Sequence, residues 1–224
     1  MGEVSGKSVY VDSGECCSLD AIESCVVDVA PLRFDVLADI ILRLGRVSRL
    51  TEDQFGNAES DTTHTVMLAL AAGEVAHMAE MDVGRVLGLA LIHDIAETFA
   101  GDTPTLLPLT EEQKRHKENR ESEAIAALRV KLVSMPWIVG LIDEYEAQQT
   151  HESRFVRIMD KVAPKWTHLL NGCAVPRRVG MSPHELDQRH HAQIKELAGT
   201  YPDQTIALHL LEDACVQSVA AWRE

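Results

Sequence analysis

The stretch from Val83 to about Phe99 sets the tightest limit on how this chain folds. Val86, Leu89, Ala90, Leu91, Ile92 and Ile95 leave it apolar nearly all round, and a helix without a polar face is buried on most sides. Asp82 stands before it as a capping residue. Yet this stretch ends in His93-Asp94 and Glu97. A buried, ionised aspartate costs several kcal/mol unless a cation or a basic side chain lies beside it. The chain must therefore surround this helix with others and supply a charge partner at its end.

The remaining pattern is also helical. Leu37, Ile40, Ile41, Leu44 and Val47 recur at three- and four-residue intervals and predict a helix over 33–47. A polar loop, Thr51 to Asp61 with Gly56 inside it, separates this from a helix capped by Thr62 or Thr63. That helix runs to about Glu80 through Val66, Leu70, Gly73 and Val75. Gly101-Asp102-Thr103-Pro104 breaks the buried helix, and Pro108 extends the loop. Further helices are expected over 111–133, from Pro136 to Tyr145, over 151–171, 183–198 and 204–222, with a basic turn at Pro176–Gly180. No segment alternates with period two for long, so the expected class is all-α. At 224 residues one domain, 33–224, is expected. Residues 1–32, with Gly2, Gly6 and Gly14 among Ser, Asp and Cys, read as a flexible or loosely docked arm.

A net charge of −14 argues against polymeric nucleic acid as a partner, because its phosphates reward basic grooves. It leaves room for a small phosphorylated ligand, since one metal ion and one or two arginines reverse the local field. Five cysteines without C-x-x-C spacing fit neither a disulfide framework nor a thiolate zinc site, and suit a reducing cytoplasm. No apolar run approaches the length of a membrane span, and no signal pattern opens the chain.

His93 and Asp94 offer one nitrogen and one oxygen to a divalent metal, although such a pair also serves as an ordinary helix-end contact. His64 lies on the preceding apolar helix, and Asp160 sits between Met159 and Val162 on a later one. Taken singly, His64 is an ordinary core histidine and Asp160 a partner for Lys161 or Arg157. Four such residues on three apolar helices are harder to explain separately. Glu97 falls four residues after His93 and three after Asp94, so it faces the same cavity. Asp102-Thr103-Pro104-Thr105 is a rigid polar loop just beyond. Arg46 or Arg49 could clamp a phosphate, or both could form a solvated face.

The pattern His64, His93-Asp94, Asp160 resembles the HD-domain superfamily of metal-dependent phosphohydrolases, and within it the 5′-deoxynucleotidase branch. The resemblance rests on the entry Glu59-Ser60-Asp61-Thr62-Thr63-His64. It rests also on an HDxxExxxGDxPT string running from His93 to Thr105, and on Phe155 to Lys161. It covers roughly residues 35–172. It implies an all-α HD-domain fold with extra C-terminal helices, often a homodimer, and a nucleotide substrate. One divalent ion (Mn, Co, Mg, Fe or Zn) would be held by His64, His93, Asp94 and Asp160. Glu97 would position the attacking water. Arg49, fifteen residues before His64, matches the phosphate-binding arginine, and Asp102 through Thr105 would line the nucleoside pocket. Leu50 stands where that branch carries a tryptophan against the ribose 2′-hydroxyl. The expected activity is release of phosphate from 5′-(deoxy)nucleoside monophosphates. A triphosphate hydrolase on the same ligands and a non-catalytic nucleotide or metal binder are the alternatives.

Overall fold

The apolar intervals of the first segment produce helix α1 (Phe34–Leu44), which buries Ile40 and Leu44. This is a computed structural model, and it describes residues 32–222. The arm expected over 1–32 lies almost wholly outside them. The chain continues through α2 (Asp61–Met78), α3 (Val83–Ile92), α4 (Glu97–Ala100), α5 (Glu111–Lys131) and α6 (Pro136–Ala147). It ends with α7 (His151–Asn171), α8 (Ala174–Arg178), α9 (Pro183–Thr200) and α10 (Thr205–Ala220). No described helix is long and apolar enough to cross a membrane.

The helical architecture is as expected, with five corrections. The first is the polar loop: Ser48–Glu52 (β1) and Ala58–Ser60 (β2) pair antiparallel. Strands this short are below the length at which alternation is readable. The turn between them is built by Asp53, whose Oδ1 accepts from the N–H groups of Phe55 and Asn57, and by Gly56 at φ +83°. Second, the cap of α2 is Ser60 rather than Thr62 or Thr63; its hydroxyl accepts from Thr63 N–H at 3.2 Å. The end of β2 leaves Ser60 extended, which a capping residue requires. Third, α2 buries Leu68, Ala69, Ala72 and Ala76, while Val66 and Leu70 are exposed. Fourth, the helix expected to run unbroken to Phe99 stops at Ile92. Fifth, the basic turn at 176–180 begins as the short helix α8.

Small residues let the core helices approach. A Cβ at Gly73 would stand 2.9 Å from Leu87 Cδ2, so at this crossing of α2 and α3 an alanine would make the Leu87 side chain shift. Helix α7 packs against α2, α3, α6 and α10, with Phe155, Val156, Ile158, Met159 and Val162 buried. It continues through Pro164, which has no N–H to give the Asp160 carbonyl one turn back. Helix α9 packs on α10 and thereby stands over the C-terminal half of α7. Asn171 Nδ2 donates to the Glu52 carbonyl at 2.8 Å, and Arg178 pairs with Glu52. The hairpin is thus tied to the end of α7.

Candidate active site

His93 ends α3 because its ring competes with the backbone. Its Nδ1–H donates to the Ala90 carbonyl at 2.7 Å, an acceptor that a continuing helix would need. Beyond it the backbone tightens to three-residue turns, Ile95 N–H to Ile92 and Glu97 N–H to Asp94. In such turns side chains three apart eclipse, so Asp94 and Glu97 are brought onto one face. The bond to Ala90 commits Nδ1 and leaves Nε2 as the ring nitrogen that faces the carboxylates. That nitrogen is buried without a hydrogen-bond partner, 2.9 Å from Asp94 Oδ2 and 3.7 Å from Asp160 Oδ1.

His64 reaches the same point from α2. Its Nε2 lies 3.0 Å from Asp160 Oδ1, and the His64 and His93 ring centroids are 5.3 Å apart. The ligand atoms of His64, His93, Asp94 and Asp160 all fall within 4.8 Å of one another. Two imidazole nitrogens facing two carboxylates, in a largely buried setting, are the donor set of a divalent cation. An orphaned Nε2 aimed at carboxylate oxygens is what such an ion relieves, so the four residues fit one. Glu59 stands behind His64, Oε1 to Nδ1 3.6 Å, and Thr51 donates to Glu59. Burial lowers the His64 pKa, but the Asp160 and Glu59 carboxylates outweigh it and raise it to about 9. Burial raises the Asp160 carboxyl; Lys161, with Nζ 2.7 Å from Oδ2, and the two histidines hold it well below its usual range.

A second acidic group shares Asp94. Asp61, Asp94 and Glu97 also bring their oxygens within 4.8 Å, and here the cation is already built in. Arg49 Nη1 donates to Asp61 Oδ1 at 3.0 Å and to Asp94 Oδ2 at 2.6 Å. Asp61 is fully buried. Glu97 is pushed up to about 10, by burial first and then by Asp94 and Asp61. It releases that proton more readily once positive charge beyond that of Arg49 is placed beside Asp94. Arg46, the other candidate clamp, is exposed.

Two of these groups, Arg49 and Asp160, border a cleft of about 390 Å³. Leu50 and the loop Asp102–Thr105 line it with them. Gly101, at φ +70°, turns the chain into that loop, and Arg120 holds it by donating to Thr103 Oγ1 at 2.7 Å. The structure thus brings the residues expected from the sequence into two groups that share Asp94: the four of His64, His93, Asp94 and Asp160, and Asp61, Asp94 and Glu97, with Arg49 and His93 both facing Asp94 Oδ2. Sequence reasoning missed Asp61, buried in the first turn of α2. It also missed the opposite wall, where Lys165 and His168 of α7 meet Arg189, His190 and Gln193 of α9. The available signal was polar residues at helical spacing after Asp160 on an otherwise apolar helix.

His168 and His190 are buried. Burial, followed by the Lys165 charge, lowers His168 to about 4 and His190 to about 3 from 6.5. An unfolded chain takes up these protons first as pH falls, so stability is full above pH 6.5 and drains below it, by about 1.4 kcal/mol per unit for each group. We expect His190→Gln to lose about 2 kcal/mol less than the parent between pH 7 and pH 5 in urea unfolding. An identical loss would mean that His190 is not held neutral.

An HD domain family model matches residues 41–201. Over 108 residues the chain is 30% identical to the 5′-deoxynucleotidase HDDC2 of Xenopus laevis, covering 48% of this chain and 53% of that protein. It is 34% identical over 83 residues to the 5′-deoxynucleotidase hdd1 of Schizosaccharomyces pombe, 34% of this chain and 40% of that one. The chain spans about half the length of the curated relatives it matches. A crystal structure of a predicted metal-dependent phosphohydrolase from Magnetospirillum magnetotacticum MS-1 superposes with a TM-score of 0.61. The superposition covers 84% of this chain and 95% of that one at 24% identity, and speaks for the fold.

Proposed function

The chain belongs to the HD domain family, and from that premise we propose that it is a metal-dependent phosphohydrolase releasing phosphate from 5′-(deoxy)nucleoside monophosphates. The observation that carries this reading is the four-ligand set, with His93 Nε2 orphaned against two carboxylates beside a cleft that Asp160 borders. His64, His93, Asp94 and Asp160 would hold one divalent ion, which supplies positive charge against the phosphate oxygens and acidifies water. Arg49 lines the cleft while anchored on Asp61 and Asp94, so its charge is pre-positioned to draw in the phosphate and to offset charge developing in the transition state. Glu97, beside Asp94, aligns the attacking water and takes its proton. The new bond joins that oxygen to phosphorus; the ester bond breaks, and the nucleoside leaves with its 5′ oxygen, which is then protonated. Asp102 and its loop hold the sugar. Leu50, smaller than tryptophan, leaves the sugar's 2′ side less crowded.

We read residues 33–224 as the catalytic domain, working as a cytoplasmic homodimer. In favour are the free, buried thiols of Cys173 and Cys215 and the exposed apolar side chains of Val66, Leu70 and Met78 along α2, which suit a second copy.

The test is phosphate release from nucleoside mono-, di- and triphosphates with Mn²⁺, Co²⁺ or Mg²⁺. Monophosphates should be hydrolysed, chelation should abolish release, and adding the ion back should restore it. Absence of release from every nucleotide removes this reading, and preferential use of triphosphates moves it to a triphosphate hydrolase on the same ligands.

A further inference from the structure

The wall of the cleft opposite the hairpin holds polar groups that the hydrolytic reading does not use. Lys161, Lys165 and His168 stand at i, i+4 and i+7 on α7, one stripe spanning about 10 Å at ~1.5 Å per residue. It begins beside Asp160, and all three residues line the cleft. Lys165 is 8% exposed. Its Nζ donates to Gln193 Oε1 at 2.9 Å, and it has no carboxylate partner among the described residues. A buried ammonium answered only by a neutral amide is costly. His168 and His190 are each 4% exposed. Nδ1 of His168 lacks a hydrogen-bond partner, and the only partner of the His190 ring is a loose contact with the Cys215 backbone. Buried polar atoms in a native fold are normally satisfied, so His168 Nδ1 awaits a ligand group in the cleft.

Resting on the nucleotide reading above, we infer that Lys165, His168, His190 and Gln193 form the site that reads the edge of the substrate's base, favouring a ring carbonyl opposite Lys165 over an amino group. The stripe starts where the phosphate would be held and runs along the cleft for about the length of a nucleoside. Imidazoles held neutral by burial and by Lys165 each present one donor and one acceptor. A base edge presents donors and acceptors side by side, whereas a second phosphate would only accept and would leave the imidazole lone pairs unanswered. Lys165 then sets the choice: its N–H groups meet a carbonyl oxygen as partners and an amino group as like donors.

Inosine and adenosine 5′-monophosphates differ at this position, a carbonyl against an amino group at carbon 6. With the metal-loaded full chain, kcat/KM for the inosine compound should exceed that for the adenosine compound by about tenfold or more, since a polar site rejects the mismatched analogue strongly. Lys165→Met should bring the ratio close to one, and Gln193→Leu should lower it. General damage to the fold would depress both substrates and leave the ratio unchanged. A parent ratio within twofold of one, a ratio that survives Lys165→Met, or faster turnover of nucleoside diphosphates regardless of base overturns the inference. Including 2-deoxyribose 5-phosphate separates the two levels. Its hydrolysis without discrimination between bases sinks only the base-reading wall, while no turnover of any ester sinks the hydrolase reading and this one with it.

Discussion

Glu97→Gln is expected to lower phosphate release by about 10²–10⁴-fold, the usual yield of a positioned general base, with the metal content of the protein unchanged. The two readouts separate because Glu97 stands outside the ligand set. The cluster of His64, His93, Asp94 and Asp160 does not include Glu97, which groups instead with Asp61 and Asp94. Glutamine keeps the volume and can still hydrogen-bond a water, but it cannot accept a proton. The stability effect should be small and favourable, because the substitution removes one of three carboxyl groups crowded together and half-buried or buried. Phosphate release at saturating nucleotide, paired with elemental analysis, checks the prediction. Turnover close to that of the parent would assign the base role elsewhere.

Arg49→Met should be the most destabilising single change at the site, by about 3–5 kcal/mol, the cost of leaving one side of a buried ion pair unpaired. Arg49 is itself largely buried, its side chain 14% exposed, and its two partners are 0% and 16% exposed. Solvent therefore screens these contacts little. Burial opposes the arginine's charge, yet Asp94, Asp160, Glu97 and Asp61 together raise its pKa. Removing it leaves Asp61 with no cation inside the fold. For a domain of this size the loss corresponds to a fall in Tm of about 10 °C. A saturating divalent ion should restore part of it, since the ion also neutralises Asp94. Arg46→Met, at an exposed position, serves as the control and should change stability by no more than about 0.5 kcal/mol. A cost below about 1 kcal/mol for Arg49→Met would show that the pair is more solvated than its geometry implies.

The ion pairs of Arg49, together with the phosphate-binding role proposed for it, let one residue matter to both fold and chemistry. Its Nη1 is committed to Asp61 and Asp94, which fixes the guanidinium without using a flexible side chain's freedom at the moment of substrate binding. This also removes the case for a second ion on Asp61, Asp94 and Glu97: the space among those carboxylates already has its positive charge.

Some of this was legible residue by residue. An apolar helix ending in His93-Asp94 demanded a partner for its charge, and His64 and Asp160 stood out because carboxylates and imidazoles are rare on apolar helices. Asp61 was hidden because a carboxylate in a first helical turn has an ordinary explanation as an N-terminal charge. The hairpin was hidden because strands of five and three residues carry too few positions to show a period. Pro164 was read through correctly as helix interior, where a local rule alone would have broken α7.

The sequence by itself determined the helical class, the order of the helices and which residues are candidates for the site. Those follow from local periodicity and from a motif string whose residues are close along the chain. Only the tertiary structure decided what Arg49 holds, that α3 stops at His93, and that α9 closes the cleft with His190 and Gln193 against Lys165 and His168. Residues on α7 and α9 lie more than twenty positions apart, and nothing in either helix alone says which faces will meet. Their meeting depends on how α10 seats both helices. The cost of burying Lys165 and two histidines can be seen only once that packing has removed the water.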